Sequence, residues 1–101
     1  MNKIEEFDYI NNLYSIYKNL LTDKQQKVIE NYYVYNLSLG EIATTINISR
    51  SAVNDTLTHA KENLLDYEDK LGLYKKEYQV KEILEKNKVN KKIIDEVMEV
   101  I

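Results

Sequence analysis

The chain has 101 residues, of which 44% are hydrophobic and 31% charged, with a formal net charge of −3. That composition fits a small soluble globular protein, and no apolar run approaches the ~20 residues of a membrane span. With no cysteine and a single histidine, His59, disulfides, thiolate metal sites and histidine metal clusters are excluded. Proline is absent and glycine occurs only at positions 40 and 72, so the expected fold is all-α. The start, Met1-Asn2-Lys3-Ile4-Glu5-Glu6, lacks the apolar core of a signal peptide, which makes the cytoplasm the expected compartment.

The first helix is expected from Lys3 to about Leu20. Ile4, Phe7, Ile10, Leu13, Tyr14, Tyr17 and Leu21 follow three- and four-residue steps and form an amphipathic stripe. Such a stripe covers the domain's own core more often than it forms a dimer surface. Thr22 opens a second helix, with Gln25 completing a capping box and Asp23 placed at the positive helix end. Val28, Ile29, Tyr32 and Tyr33 form its buried side and Asn36 ends it. The rings of Tyr32, Tyr33 and Tyr35 are read as sealing a small core, not as a base-stacking platform.

Two short segments around a tight turn follow. Ser38 caps the first and Glu41 completes its box; Ile42 and Ile46 lie one turn apart and face one core. Ala43 is small where the next helix passes. Asn47 suits a left-handed turn position, Ile48 plugs the turn from below and Ser49 caps the second helix. This is the pattern of a helix-turn-helix. Its second helix presents Arg50, Ser51, Asn54, Asp55 and Thr58 outward, the face that enters the major groove in DNA-binding versions. Arg50 suits a guanine edge or a phosphate, Asn54 an adenine edge, and Ser51 and Thr58 phosphate oxygens. Asp55 is discordant, able to accept from cytosine N4 or to repel phosphate.

The second helix is expected to run on to Lys70, about 30 Å. Val53, Leu57, Ala60, Leu64, Tyr67, Leu71 and Tyr74 make a stripe of 3.5-residue period that packs on the first helix or on a second subunit. Together with the first helix it offers more apolar surface than a three-helix core needs, so a homodimer is expected. The distal outer face carries Glu62, Asp66, Glu68 and Asp69. Residues 38–72 hold three basic and six acidic side chains, which makes the would-be reader the most acidic third of the chain. An acidic face at Glu62, Asp66 and Asp69 suits a basic partner. It is read as a solvated surface before a Mg2+ site.

Gly72 is expected to break or kink the helix. A C-terminal helical extension, about residues 73–101, follows: one helix from Leu73 to Lys86 with Val80, Ile83 and Leu84 on its apolar side, a boundary at Asn87 to Asn90, and a last amphipathic segment through Ile93, Ile94, Val97, Met98 and Ile101. Lys88, Lys91 and Lys92 cluster near the start of that segment. No phosphate-binding glycine loop, cysteine nucleophile or nucleophile elbow is present, and His59 with Asp55 four residues before it is read as a structural contact. The expected molecule is one helical domain over residues 1–101, not an enzyme, with no cofactor and no metal.

Leu20-Leu21-Thr22-Asp23-Lys24-Gln25-Gln26, Tyr32-Tyr33, Ser38-Leu39-Gly40-Glu41-Ile42-Ala43, Ile48-Ser49-Arg50-Ser51-Ala52-Val53 and Leu65-Asp66-Tyr67-Glu68-Asp69-Lys70-Leu71-Gly72-Leu73-Tyr74 together resemble the YlxM family of small bacterial helix-turn-helix proteins, over roughly residues 8–78. That family is similar to region 4 of bacterial sigma factors, the module that reads the promoter −35 element. The resemblance implies an all-α fold with a sigma-region-4-like helix-turn-helix at about residues 38–65 and a DNA-binding regulatory role. Through genomic neighbourhood it also implies a part in the signal recognition particle protein-targeting pathway, with particle components, protein or RNA, as alternative partners to duplex DNA. Where sigma region 4 carries basic residues along its reading helix, this chain holds Asn54, Thr56, His59 and Lys61, so Lys61 joins the candidate contacts.

Overall fold

The computed structural model describes residues 2–101, and among them every regular element is helical. Six α-helices follow in order: α1 Lys3–Tyr17, α2 Asp23–Ile29, α3 Leu39–Ile46, α4 Arg50–Leu71, α5 Leu73–Lys86 and α6 Lys91–Val100. Local chemistry accounts for most of the boundaries. Asn2 caps α1, accepting from the Glu5 backbone N–H at 2.9 Å while the Glu5 carboxylate accepts from the Asn2 N–H. Thr22 and Gln25 form the same reciprocal pair at α2, and Ser38 and Glu41 at α3. Each box satisfies two backbone donors that a helix start otherwise leaves orphaned.

The core gathers Ile10, Leu13, Tyr14 and Tyr17 of α1, Val28 and Ile29 of α2, Ile42 of α3 and Val53, Leu57, Ala60 and Leu64 of α4, with Leu21 and Tyr33 between elements. Fully burying one such aliphatic side chain stabilises the fold by roughly 1.5–3 kcal/mol relative to leaving it exposed. The apolar stripes of α1 and α4 therefore meet each other, and the surface that the sequence offered for dimerisation is consumed inside the chain. The stripes are also shorter than their periodicity suggests. Ile4 is 75% exposed at the head of α1, Leu71 is exposed, and Tyr74 belongs to α5 because Gly72 ends α4.

Between α2 and α3 the backbone widens into a π-helical turn over Glu30–Val34. The Tyr35 N–H reaches back to the Glu30 carbonyl and the Leu37 N–H to that of Asn31, while Asn11 of α1 donates its side-chain amide to the Tyr33 carbonyl at 3.0 Å. The wide turn lets the adjacent rings of Tyr32 and Tyr33 both pack on Phe7, with centroids 5.8 and 4.5 Å away. Asn36 then takes a left-handed conformation with φ 59° and releases the chain towards α3.

α4 and α5 are separated by one residue. Gly72 has φ 62° and ψ 28°, and its N–H closes α4 on the Glu68 carbonyl. The Glu68 side chain turns inward. One carboxylate oxygen accepts from the Tyr17 hydroxyl at 2.7 Å and from the Tyr74 N–H at 3.0 Å, and the other from the Lys75 N–H at 3.1 Å. The Tyr17 oxygen in turn accepts from the Leu73 N–H at 3.1 Å. Glu68, grouped by its helical phase with the outer acids, thus serves as the N-terminal cap of α5. No residue of α5 is fully buried: on its expected apolar side Ile83 is 59% exposed while Val80 and Leu84 are half-buried, and α6 folds back on α5 and buries Ile94.

Candidate nucleic-acid interface

The helix-turn-helix is assembled from backbone requirements that its own residues meet. The Ser38 hydroxyl accepts from the Glu41 N–H at 3.1 Å, and the Ser38 N–H donates to the Glu41 carboxylate at 2.9 Å. The Ser38 backbone N–H, helped by the Ser38 side chain, holds the Glu41 carboxyl below its ordinary pKa. Thr44 and Thr45 return their hydroxyls to the carbonyls of Gly40 and Glu41. At the turn, Asn47 adopts φ 56° and ψ 49°, and both its N–H and that of Ile48 close on the Ala43 carbonyl. This is a left-handed helix stop made with asparagine in place of glycine. Ser49 accepts from the Ala52 N–H at 3.0 Å and starts α4. Beneath the turn, Ala43, Ile46 and Ile48 pack on the core that holds Ile42 and Val53.

Arg50, Ser51, Asn54, Asp55 and Thr58 are all exposed on the first turns of α4, opposite the buried Val53, Leu57 and Ala60. At about 100° per residue, Arg50, Asn54, Thr58 and Lys61 occupy one arc of roughly 80°, and Asp55, Glu62, Asp66 and Asp69 a neighbouring arc of roughly 60°. The helix therefore carries a polar and basic track beside an acidic one, with Ser51 at their border.

Lys61 stands apart from the other members of its track. Its ammonium is half-buried and bonded to the Glu6 carboxylate of α1 at 3.1 Å. Burial works to lower its pKa, but the hydrogen bond to Glu6 and the nearby Tyr33 hydroxyl outweigh that and raise it. Its charge thus stitches α4 to α1, a role that required knowing which residue of α1 lies opposite. On the acidic track Glu62, Asp66 and Asp69 are exposed, and Asp66 is bridged to Lys70 at 2.9 Å, one turn on. His59 and Asp55 both face solvent. Among the described residues no three acidic or histidine side chains gather as metal ligands, and no helix is long and apolar enough to cross a membrane.

Comparison with known proteins bears on this geometry. A family model described as "Putative helix-turn-helix protein, YlxM / p13 like" matches residues 4–101. A UPF0122 protein of Desulforamulus reducens is 52% identical over 73 residues, covering 72% of this chain and 62% of its own. UPF0122 proteins of Thermoanaerobacter sp. and Caldanaerobacter subterraneus are 42% identical over 92 residues and 44% over 84, covering 79% and 72% of their own lengths and 91% and 83% of this chain. The chain thus spans less than two thirds of the Desulforamulus relative.

Proposed function

The chain belongs to the YlxM / p13-like family of helix-turn-helix proteins, and from that membership we propose that it is a regulator that binds duplex DNA through the start of α4. The observation that carries this reading is the side-by-side exposure of Arg50, Ser51, Asn54 and Thr58 on the first turns of a helix presented by a fully capped turn. Arg50 and Asn54 supply base-edge chemistry, and the two hydroxyls donate to phosphate. Binding is weak for a single copy, because the acidic track adjoins the reading face and Lys61 is committed to Glu6. A two-fold pair of chains strengthens it by offering two reading helices to one duplex.

The test is fluorescence anisotropy with a labelled duplex across a salt series. The expected result is binding at low salt with a shallow salt dependence, a slope of about −1 to −3 in log K against log salt, weakened by Arg50→Ala and by Asn54→Ala. Absence of binding at low salt, or binding indifferent to both substitutions, overturns the proposal.

A second reading rests on the exposed acids Glu62, Asp66 and Asp69. That track suits a basic partner, and signal recognition particle components are the class to try. Particle binding that survives Arg50→Ala but is lost in Asp66→Lys with Asp69→Lys supports this second reading over the first.

A further inference from the structure

α1, α5 and α6 enclose an open cleft of about 540 Å³, away from the start of α4. Small-molecule sites fall in the range of about 300–1,000 Å³. The floor of this cleft is apolar and aromatic: Ile94 and Met98 come from α6, and Tyr74 and Tyr78 from α5. The Tyr74 ring is held in place. It makes an edge-to-face contact with Tyr9 of α1 at a centroid distance of 5.6 Å, and its hydroxyl accepts from the Asn12 amide at 3.4 Å. Tyr78, one turn further along α5, is 61% exposed.

The walls carry four carboxylates, Glu77, Glu82 and Glu85 of α5 and Asp95 of α6, against one ammonium, that of Lys81. Lys81 lies four residues from both Glu77 and Glu85, so three negative charges are left over even where it pairs with one of them. Among the described residues none of these five side chains is ion-paired. Lys75 and Lys91 line the neighbouring hollows at the two ends, so the negative excess is confined to the cleft. The carboxylates do not converge, since among the described residues no three acidic side chains gather as ligands of one metal ion. Glu77 and Glu85 stand about 12 Å apart along the helix. Carboxylates spread over an apolar floor match a cation whose charges are spread along an apolar chain, and a tyrosine face attracts such a cation through its π-system.

We propose that this cleft binds a linear aliphatic polyamine, a triamine of the spermidine type. Its three ammonium groups lie against Glu82, Glu85 and Asp95 or Glu77, and its methylenes cover Ile94, Met98 and the two tyrosine rings. Its charge equals the negative excess of the cleft, and once bound it ties α5 to α6. Exposed ion pairs are individually weak and screened by salt, so the expected dissociation constant is about 0.1–1 mM at low ionic strength. The site shares no residue with the reading face or with the acidic track of α4 and needs no nucleic acid, so its test is separate from that of DNA binding.

The experiment is isothermal titration calorimetry of the full chain with spermidine at low ionic strength, with circular dichroism to confirm that each variant keeps its helix content. Spermidine is expected to bind one to one, and Mg2+ at equal ionic strength to bind at least about tenfold more weakly. Glu82→Gln with Glu85→Gln is expected to weaken spermidine binding roughly tenfold, and Tyr78→Ala roughly threefold. Asp23→Asn with Glu96→Gln removes the same charge from exposed positions outside the cleft, and is expected to change binding by less than about twofold. Spermidine that does not bind, Mg2+ that binds as tightly, equal losses in the two paired-acid variants, or binding indifferent to Tyr78→Ala overturns the proposal. A hexa-arginine peptide that binds where spermidine does not overturns it too, and assigns the cleft to a basic protein segment.

Discussion

Asn47 holds the helix-turn-helix at its narrowest point, in a left-handed conformation with φ 56°. A β-carbon disfavours that region by roughly 1–2 kcal/mol in most residues, and asparagine offsets part of this through local hydrogen bonding. Asn47→Ala is therefore expected to lower stability by about 1 kcal/mol, while Asn47→Gly stays close to neutral. Urea unfolding followed by circular dichroism measures both, and equal midpoints for alanine and glycine would mean that the turn has another conformation in solution. This residue was legible in the sequence because its requirement is local. The same holds for Ser38, Thr22 and Ser49, whose partners lie three residues away. Lys61 was not, since its partner is 55 positions distant on α1, and the likeness to sigma region 4 placed it with Arg50 and Asn54.

The junction of α4 and α5 shows the same divide between elements. Glu68 lies among acids in the sequence, but its carboxylate collects the Tyr17 hydroxyl and the first two free N–H groups after Leu73. Glu68→Ala leaves those donors without their acceptor, and hydrogen bonds to a charged group contribute about 1.5–3 kcal/mol each, part of which water restores at this half-exposed site. The expected loss is about 2 kcal/mol, with hydrogen exchange accelerating across α5 and α6 while the amides of α2 and α3 keep their protection. Uniform acceleration through all helices would show that the carboxylate supports the whole fold and not this joint. The break at Gly72 was legible from the glycine itself, although the 3.5-residue stripe from Val53 to Tyr74 runs straight across it. The helices were legible from their caps and stripes. The direction of α5 after Gly72, and hence the inward turn of Glu68, depends on contacts with α1 that no window of sequence contains.

The whole molecule measures 50 × 25 × 25 Å, and its core is rich in tyrosine. Burial raises the pKa of Tyr14, Tyr17, Tyr9 and Tyr33; the hydrogen bond to Glu30 raises Tyr14 further, and that to Glu68 raises Tyr17. An unfolded tyrosine ionises near pH 10. Above that pH the unfolded chain releases protons that the folded chain keeps, so ionisation favours unfolding. The stability these hydroxyls contribute is complete below about pH 10 and is lost as pH climbs through their raised folded-state values. Denaturant unfolding between about pH 8 and 11 is expected to show a level stability that then falls, with a smaller fall in Tyr14→Phe. A profile that is flat to pH 11 in the wild type would contradict it. The nine tyrosines were visible in the composition, but which of them lose water follows from the π-turn at Glu30–Val34 and the crossing of α1 and α4. The single-residue joint at Gly72 has a mechanical consequence at this same scale. α4 and α5 have no flexible linker between them, so one pair of torsions aims a 14-residue lever. A rotation of about 10° at Gly72 swings the far end of α5, about 21 Å away, by roughly 4 Å. Small changes around one glycine and one carboxylate therefore set where α5, and α6 folded back on it, stand relative to α4.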